Sequence, residues 1–236
     1  MLSFIIPAHD EEQYIGNCVS CVAASARALE QPFEVIVVDD ASADRTAAIA
    51  ANHGATVVKV DHRQIAAARN AGARAARGEL LFFIDADTFA NPRAVRACLQ
   101  ALQNGAVGGG CVFKFDGTLP FWAKLLYPVA VILARSLKLM GGCFLFCTHD
   151  AFDAIGGFDE RYFAGEDAAF VRALKRRGRF AVPGPTVVTS GRKLRANSAW
   201  RILGEAWRWI RHGRGAYQRR EGLDLWYGAR PVDSSR

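Results

Sequence analysis

Short apolar blocks alternate with amphipathic stretches along the first half of the chain. Leu2–Pro7 (LSFIIP), Phe33–Val38 (FEVIVV), Ala55–Val60 (ATVVKV) and Leu80–Ile84 (LLFFI) read as strands, rich in Ile, Val and Phe. Glu11–Leu29, Arg45–His53 and Gln64–Arg77 lie between them and read as helices, with Ser42 or Asp44 as a cap for the second and Gly78 ending the third. LLFFI is apolar at every position. A strand without polar alternation is covered on both faces, as in a parallel sheet between helix layers. The βαβαβαβ order therefore predicts an α/β fold: an open, mostly parallel, Rossmann-like sheet with helices on both faces.

The second half is less regular. Asn91–Gln103 is helical and opens on Asn-Pro, a cap followed by proline at the first helical position. Val107–Phe115 is glycine-rich and then strand-like, Cys143–Thr148 reads as a buried strand, and Asp150–Ile155 as a short helix ended by Gly156-Gly157. Glu166–Arg177 is a helix with a basic end. Phe121–Leu139 is strongly apolar yet carries Lys124, Arg135, Lys138 and an interior Pro128; packing into the core is expected of it, with a second apolar surface for membrane contact as the alternative. With no internal repeat and no clear linker, the simplest division is one domain over residues 1–195 and a C-terminal extension over 196–236.

Chain length, 236 residues, suits one well-buried domain. Hydrophobic residues at 51% and charged residues at 22% exclude a disordered or low-complexity chain. No apolar run reaches the roughly 18 residues that span a bilayer, and Met1–Asp10 lacks the basic start of a secretory signal. A cytoplasmic location is expected, free or peripheral on the cytoplasmic face of the membrane. In that reducing setting Cys18, Cys21, Cys143 and Cys147 read as buried thiols rather than a metal or redox set.

Charge divides the chain. Residues 1–171 carry 14 Lys/Arg against 19 Asp/Glu, whereas residues 172–236 carry 16 against 4. The basic end predicts an anionic partner. Within it, Trp200, Leu203, Ala206, Trp207 and Ile210 share one face if Trp200–Arg211 is a helix, as in helices that lie in a lipid interface; packing on the domain is the alternative. No nucleic-acid motif is present, and no nucleic-acid partner is expected.

Ligands of such sheets bind at the carboxyl ends of the strands. Three short segments fall there: Pro7-Ala8-His9-Asp10-Glu11, Asp39-Asp40 and Asp85-Ala86-Asp87. Carboxylates at i and i+2 past a buried strand can share one divalent cation with two phosphate oxygens; a solvated turn is the plain alternative. One of Asp39 and Asp40 can accept from the N–H of a uracil-like base or a ribose hydroxyl while the other caps a helix. Arg69 is either an exposed helical arginine or a base or diphosphate contact. Glu166-Asp167 opens a helix, where carboxylates are stabilised by the dipole; the chemical reading makes one of them a general base. His9 lies in a site loop, and His149 reads as structural. No G-x-G-x-x-G or G-K-[ST] follows the first strand, which argues against dinucleotide oxidoreductases and P-loop NTPases.

In order and spacing, FIIPAHDEE from Phe4, VIVVDDAS from Val35, ARNAG from Ala68, FIDAD from Phe83, GGFDE from Gly156 and GED from Gly165 resemble the family 2 glycosyltransferases, which have the GT-A fold. The resemblance implies an inverting transfer of a sugar from a nucleotide-sugar donor, uridine diphosphate first, to a sugar or lipid-linked acceptor. It places the nucleobase at Pro7, Ala8, His9, Glu11 and Asp39 with Arg69 assisting, Asp85 near ribose and metal, and Asp87 on Mg²⁺ or Mn²⁺. It makes Asp167 the base, with Glu166 beside it. Many relatives carry a further histidine ligand where this chain reads VVTSGRK from Val187; Arg192 or Lys193 can meet the diphosphate there as a cation. Q-x-x-R-W is absent, which favours single addition. The rivals are a metal-dependent nucleotidyltransferase, which would release pyrophosphate, and a non-catalytic nucleotide-sugar-binding protein.

Overall fold

The structure, a computed structural model, describes residues 1–138, 140–202, 204 and 223. Its first half follows the predicted alternation: β1 (Leu2–Ala8), α1 (Ile15–Arg27), β2 (Phe33–Asp40), α2 (Thr46–Asn52), β3 (Thr56–Val60), α3 (Ile65–Ala75) and β4 (Leu80–Ile84). Then come β5 (Thr88–Phe89), α4 (Pro92–Gln103), β6 (Gly108–Gly110), β7 (Phe113–Phe115), α5 (Phe121–Leu137), β8 (Phe144–Thr148) and α6 (His149–Ile155). The remaining elements are α7 (Glu166–Arg177), β9 (Phe180–Ala181), β10 (Val187–Thr189) and α8 (Arg192–Ala196).

A seven-stranded sheet runs β3-β2-β1-β4-β8-β6-β9. Its pairs are parallel except where β8 runs against β4 and β6. Leu81 to Ile84 of β4 are fully buried, as an all-apolar strand requires. One face packs Phe4, Phe82, Phe144 and Phe146 against α1 and α4; the other packs Ile5, Phe83 and Leu145 against α3, α6 and α7. Aromatic rings fill both layers, with Phe4 stacked on Phe82 at 4.9 Å and Phe158 on Phe170 at 4.0 Å. The glycines of β6 let three strands close together: a Cβ on Gly109 would collide with the Ala181 carbonyl and the Phe146 ring.

Two expectations change. The first helix begins at Ile15, because the backbone N–H groups of Glu11 and Glu12 donate to Thr46 Oγ1 and Asp44 Oδ2 and hold residues 9–12 as a loop. α5 does not enter the core. Only Ala123 is fully buried, while Phe121, Leu125 and Ile132 are more than 60% exposed. Polar groups along its inner side tie it to the domain surface: Tyr127 Oη donates to Phe113 O, Arg135 Nη2 to Gly184 O at 2.8 Å, and Lys138 Nζ to Phe180 O at 3.1 Å.

Cys18, Cys143 and Cys147 are buried free thiols, and Cys21 is half-buried. Burial pushes the buried three well above the usual thiol range. His149 is structural, with Nδ1 hydrogen-bonded to Gly78 O at 2.9 Å. Among the described residues no helix is long and apolar enough to cross a membrane. Trp200 is 84% exposed; most of the Trp200–Arg211 segment lies outside the described residues.

Candidate active site

Parallel pairing of β1 with β2 and β4 brings the three acidic segments to one sheet edge, with Ala8 level with Asp39. Two buried arginines from distant segments hold the carboxylates together there.

Arg69 projects from α3 and is 1% exposed. It is not the exposed helical arginine of the plain reading. Nη2 donates to Asp85 Oδ1 at 2.8 Å and to Gly142 O at 3.0 Å, and Nη1 donates to Glu166 Oε1 at 2.8 Å. Its guanidinium also lies over the Phe158 ring, 5.1 Å from the centroid. Burial works against the charge, but Asp85, Glu166 and Asp167 outweigh it and hold Arg69 above the usual arginine range. Arg69 therefore links the Asp85 turn to the start of α7.

Arg192, at the start of α8, is 5% exposed. Nη2 donates to Glu11 Oε1 at 2.6 Å and lies 3.1 Å from Asp87 Oδ2, with the guanidinium over the Tyr14 ring. Burial opposes its charge; the bond to Glu11 and the field of Asp87 raise it instead. A second sheet, β5-β10-β7, delivers this arginine: β10 pairs with β5, and Ser190 N–H donates to Asp87 O at 3.0 Å. Lys193 is half-buried and is not the residue paired with Asp87.

Asp39 and Asp40 divide their tasks. Asp40 accepts from the N–H groups of His62, Arg63 and Gln64 at 2.7–2.9 Å and so holds the loop that leads into α3, the helix that carries Arg69. Asp39 is 6% exposed, and its Oδ1 is buried with no hydrogen-bond partner among the described residues. A buried acceptor left without a donor is costly, so this oxygen suits a ligand N–H or O–H. Pro7 and Ala8 are buried at the end of β1 beside it. His9 is tied into the loop, Nδ1 to Asp40 O at 2.8 Å and Nε2 to Arg63 Nη1.

The two carboxylates of α7 also differ. Glu166 is buried against Arg69, and burial and the neighbouring Asp167 push it up to about 7 against the pull of Arg69. Asp167 is half-buried; Oδ2 accepts from Gly142 N–H at 2.7 Å and Oδ1 from Ala168 N–H at 2.6 Å. Both its oxygens are thus oriented by backbone amides. Gly142 is required where it stands, because a Cβ there would lie 2.8 Å from Arg69 Nη2 and 3.2 Å from Asp167 Cβ.

Asp85 and Asp87 supply hard carboxylate oxygens of the kind that Mg²⁺ and Mn²⁺ take. Their side chains are 32% and 14% exposed. The donor chemistry fits a divalent cation at this turn, although each carboxylate also faces an arginine. Among the described residues no group of three or more His, Cys, Asp or Glu is arranged to hold a metal.

Sequence reasoning missed Gly142, Tyr14 and Asn70. Asn70, next to Arg69, donates to Phe158 O at 2.9 Å and to Glu160 Oε1 at 2.8 Å, and Oδ1 accepts from Phe158 N–H. It fixes the GGFDE loop on α3. Its place inside the ARNAG segment was the available signal; Gly141-Gly142 offered only a glycine pair, and Tyr14 none.

The α/β sheet thus carries paired carboxylates at its carboxyl edge, an orphan acceptor beside them and a carboxylate-led helix across the edge. The family model for glycosyl transferase family 2 matches residues 3–159, and the chain belongs to that family. A validoxylamine A glucosyltransferase of Streptomyces hygroscopicus subsp. jinggangensis is 32% identical over 129 residues, 51% of this chain and 30% of that protein. An undecaprenyl-phosphate 4-deoxy-4-formamido-L-arabinose transferase of Pseudomonas paraeruginosa is 30% identical over 156 residues, 61% of this chain and 46% of that protein. The chain thus spans less than half the length of these two curated relatives. Among solved structures, glucosyl-3-phosphoglycerate synthase of Mycobacterium tuberculosis, in complex with Mn²⁺, UDP-glucose and phosphoglyceric acid, superposes with a TM-score of 0.61. It is 19% identical, covering 89% of this chain and 77% of that one. The fold is the GT-A arrangement of these neighbours.

Proposed function

We propose that residues 1–195 form an inverting, single-addition glycosyltransferase domain that moves a sugar from a nucleotide-sugar donor, uridine diphosphate first, to the hydroxyl of a lipid-linked acceptor in glycan assembly. The observation that carries this reading is Arg69, which joins the donor-side Asp85 to the base-side Glu166 through one buried guanidinium. A donor held at Asp85 and Asp87 is thereby kept in register with α7. A solved neighbour that holds UDP-glucose with Mn²⁺ supports the donor class, and a relative named for undecaprenyl phosphate supports a lipid-linked acceptor.

Each residue has a task. Asp39 Oδ1 accepts from the nucleobase, with the Pro7-Ala8-His9 strand end as its wall. Asp85 and Asp87 would hold Mg²⁺ or Mn²⁺, which when bound neutralises charge on the leaving diphosphate. Arg192 supplies a positive charge to the same place from the protein itself. Asp167 takes the acceptor proton as the acceptor oxygen attacks the anomeric carbon. The new C–O bond forms on the face opposite the breaking bond to the diphosphate, so the configuration inverts. Asp167 is the base rather than Glu166 because it is the more accessible and its oxygens are oriented by amides. Glu166 is spent on Arg69.

The test is donor turnover by the chain with UDP-glucose and related donors, with the anomeric configuration of the product read by NMR. Inverted product that disappears in Asp167→Asn, with nucleotide binding kept, supports the proposal. Retained configuration, or release of pyrophosphate from a nucleoside triphosphate instead, refutes it.

A further inference from the structure

The outer side of α5 is not used by the site or by the core. Phe121, Leu125, Val129, Ile132, Leu133 and Leu137 are 82%, 66%, 55%, 64%, 51% and 57% exposed. Their spacing of three to four residues puts them on one side of the helix. Ordinary soluble surfaces scatter such residues singly, whereas a contiguous stripe marks an interaction site. Two further observations choose the occupant. No Asp or Glu occurs between Asp116 and Asp150, and Lys124 is exposed beside the stripe. An apolar face edged by a cation and free of carboxylates is complementary to an anionic lipid surface and not to a polar protein surface.

We infer that α5 lies in the interface of an anionic lipid bilayer, with its outer face among the acyl chains and Lys124 at the headgroups. The placement has a chemical consequence, which rests on the transferase reading. Leu137, the last residue of α5, is five residues from Gly142, a span of about 17 Å at most. Gly142 is the residue whose N–H orients Asp167 and whose carbonyl receives Arg69. Lys175 Nζ, on α7, donates to Leu137 O at 3.0 Å and binds the helix end to the base helix as well. Docking of α5 therefore sets the general base close to the bilayer surface, where the hydroxyl of a lipid-linked acceptor is presented.

The experiment is co-sedimentation of the full chain with phosphatidylcholine vesicles and with mixed phosphatidylcholine/phosphatidylglycerol vesicles, for wild type and for Leu125→Glu/Ile132→Glu. Both positions are exposed, so the variant should fold; a milder Leu125→Ser/Ile132→Ser pair and its melting curve check this. Expected is salt-sensitive binding to the anionic vesicles that falls at least about tenfold in the glutamate variant. The nucleotide-induced thermal shift should stay as in wild type, which separates this inference from the donor-site reading. Absence of wild-type binding, equal binding by the variant, or a solution dimer that the variant dissolves would each overturn it.

Discussion

The guanidinium of Arg192 lies 3.1 Å from the Asp87 carboxylate, across 105 positions of sequence. It places a fixed cation on a residue otherwise suited to a divalent metal. Removing one partner of a buried ion pair typically costs about 3–5 kcal/mol, because the remaining charge is left uncompensated. Arg192→Met should therefore lower the melting temperature clearly, and Mn²⁺ should restore more stability to the variant than to wild type. Melting curves with and without Mn²⁺ measure this; equal metal effects in both proteins would remove Arg192 from the role.

Asp167→Asn should lower kcat by about 10²–10⁴, the usual worth of a general base, while the nucleotide-induced thermal shift stays unchanged. Steady-state turnover and melting curves read the two quantities. A variant that loses nucleotide binding in step with turnover would point to a donor contact instead.

Gly142→Ala tests the meeting of the two halves of the site. The added methyl would press on Arg69 Nη2 and the Asp167 side chain. The expected outcome is at least a tenfold fall in kcat with a retained fold, since misplacing catalytic groups by about 1 Å can cost 10²-fold. Turnover close to wild type would mean that the Gly142 contact does not position Asp167.

Glu166 makes stability depend on pH in a defined direction. Its value is raised from 4.5 to about 7 in the folded protein, so between these values the folded state holds the proton that the unfolded state has lost. Stability contributed by this group is present below about pH 4.5 and is lost as pH rises to about 7, by an amount on the order of a few kcal/mol. Glu166→Gln removes this dependence. Melting curves from about pH 5 to about pH 8 should therefore shift in favour of the variant as pH rises. Parallel pH profiles for the two proteins would contradict the assignment.

Much of the frame was legible because it is local. All-apolar LLFFI and valine-rich FEVIVV report their own burial, and the acidic residues that follow them fall at the carboxyl ends of parallel strands wherever the helices pack. Long-range pairing was less legible. Nothing around Arg69 states whether the arginine is exposed; its burial depends on Glu166, 97 positions away. Asp40 holds the loop at residues 62–64, ahead of α3, because β3 returns the chain beside it. α5 defeated the pattern for a different reason. An apolar stripe looks the same whether it faces a core or a lipid surface, and only tertiary placement tells them apart.

The most direct test of the donor site is a thermal-shift panel of the wild-type chain and Asp39→Ala with UDP, GDP, dTDP and CDP, each with and without Mn²⁺. Ligand at about 100 times its Kd adds about 2.7 kcal/mol, a shift of several degrees for a chain of this size. The account predicts such a shift with one nucleoside diphosphate, UDP first, and its loss in Asp39→Ala. No shift with any of the four, or an undiminished shift in Asp39→Ala, would contradict it.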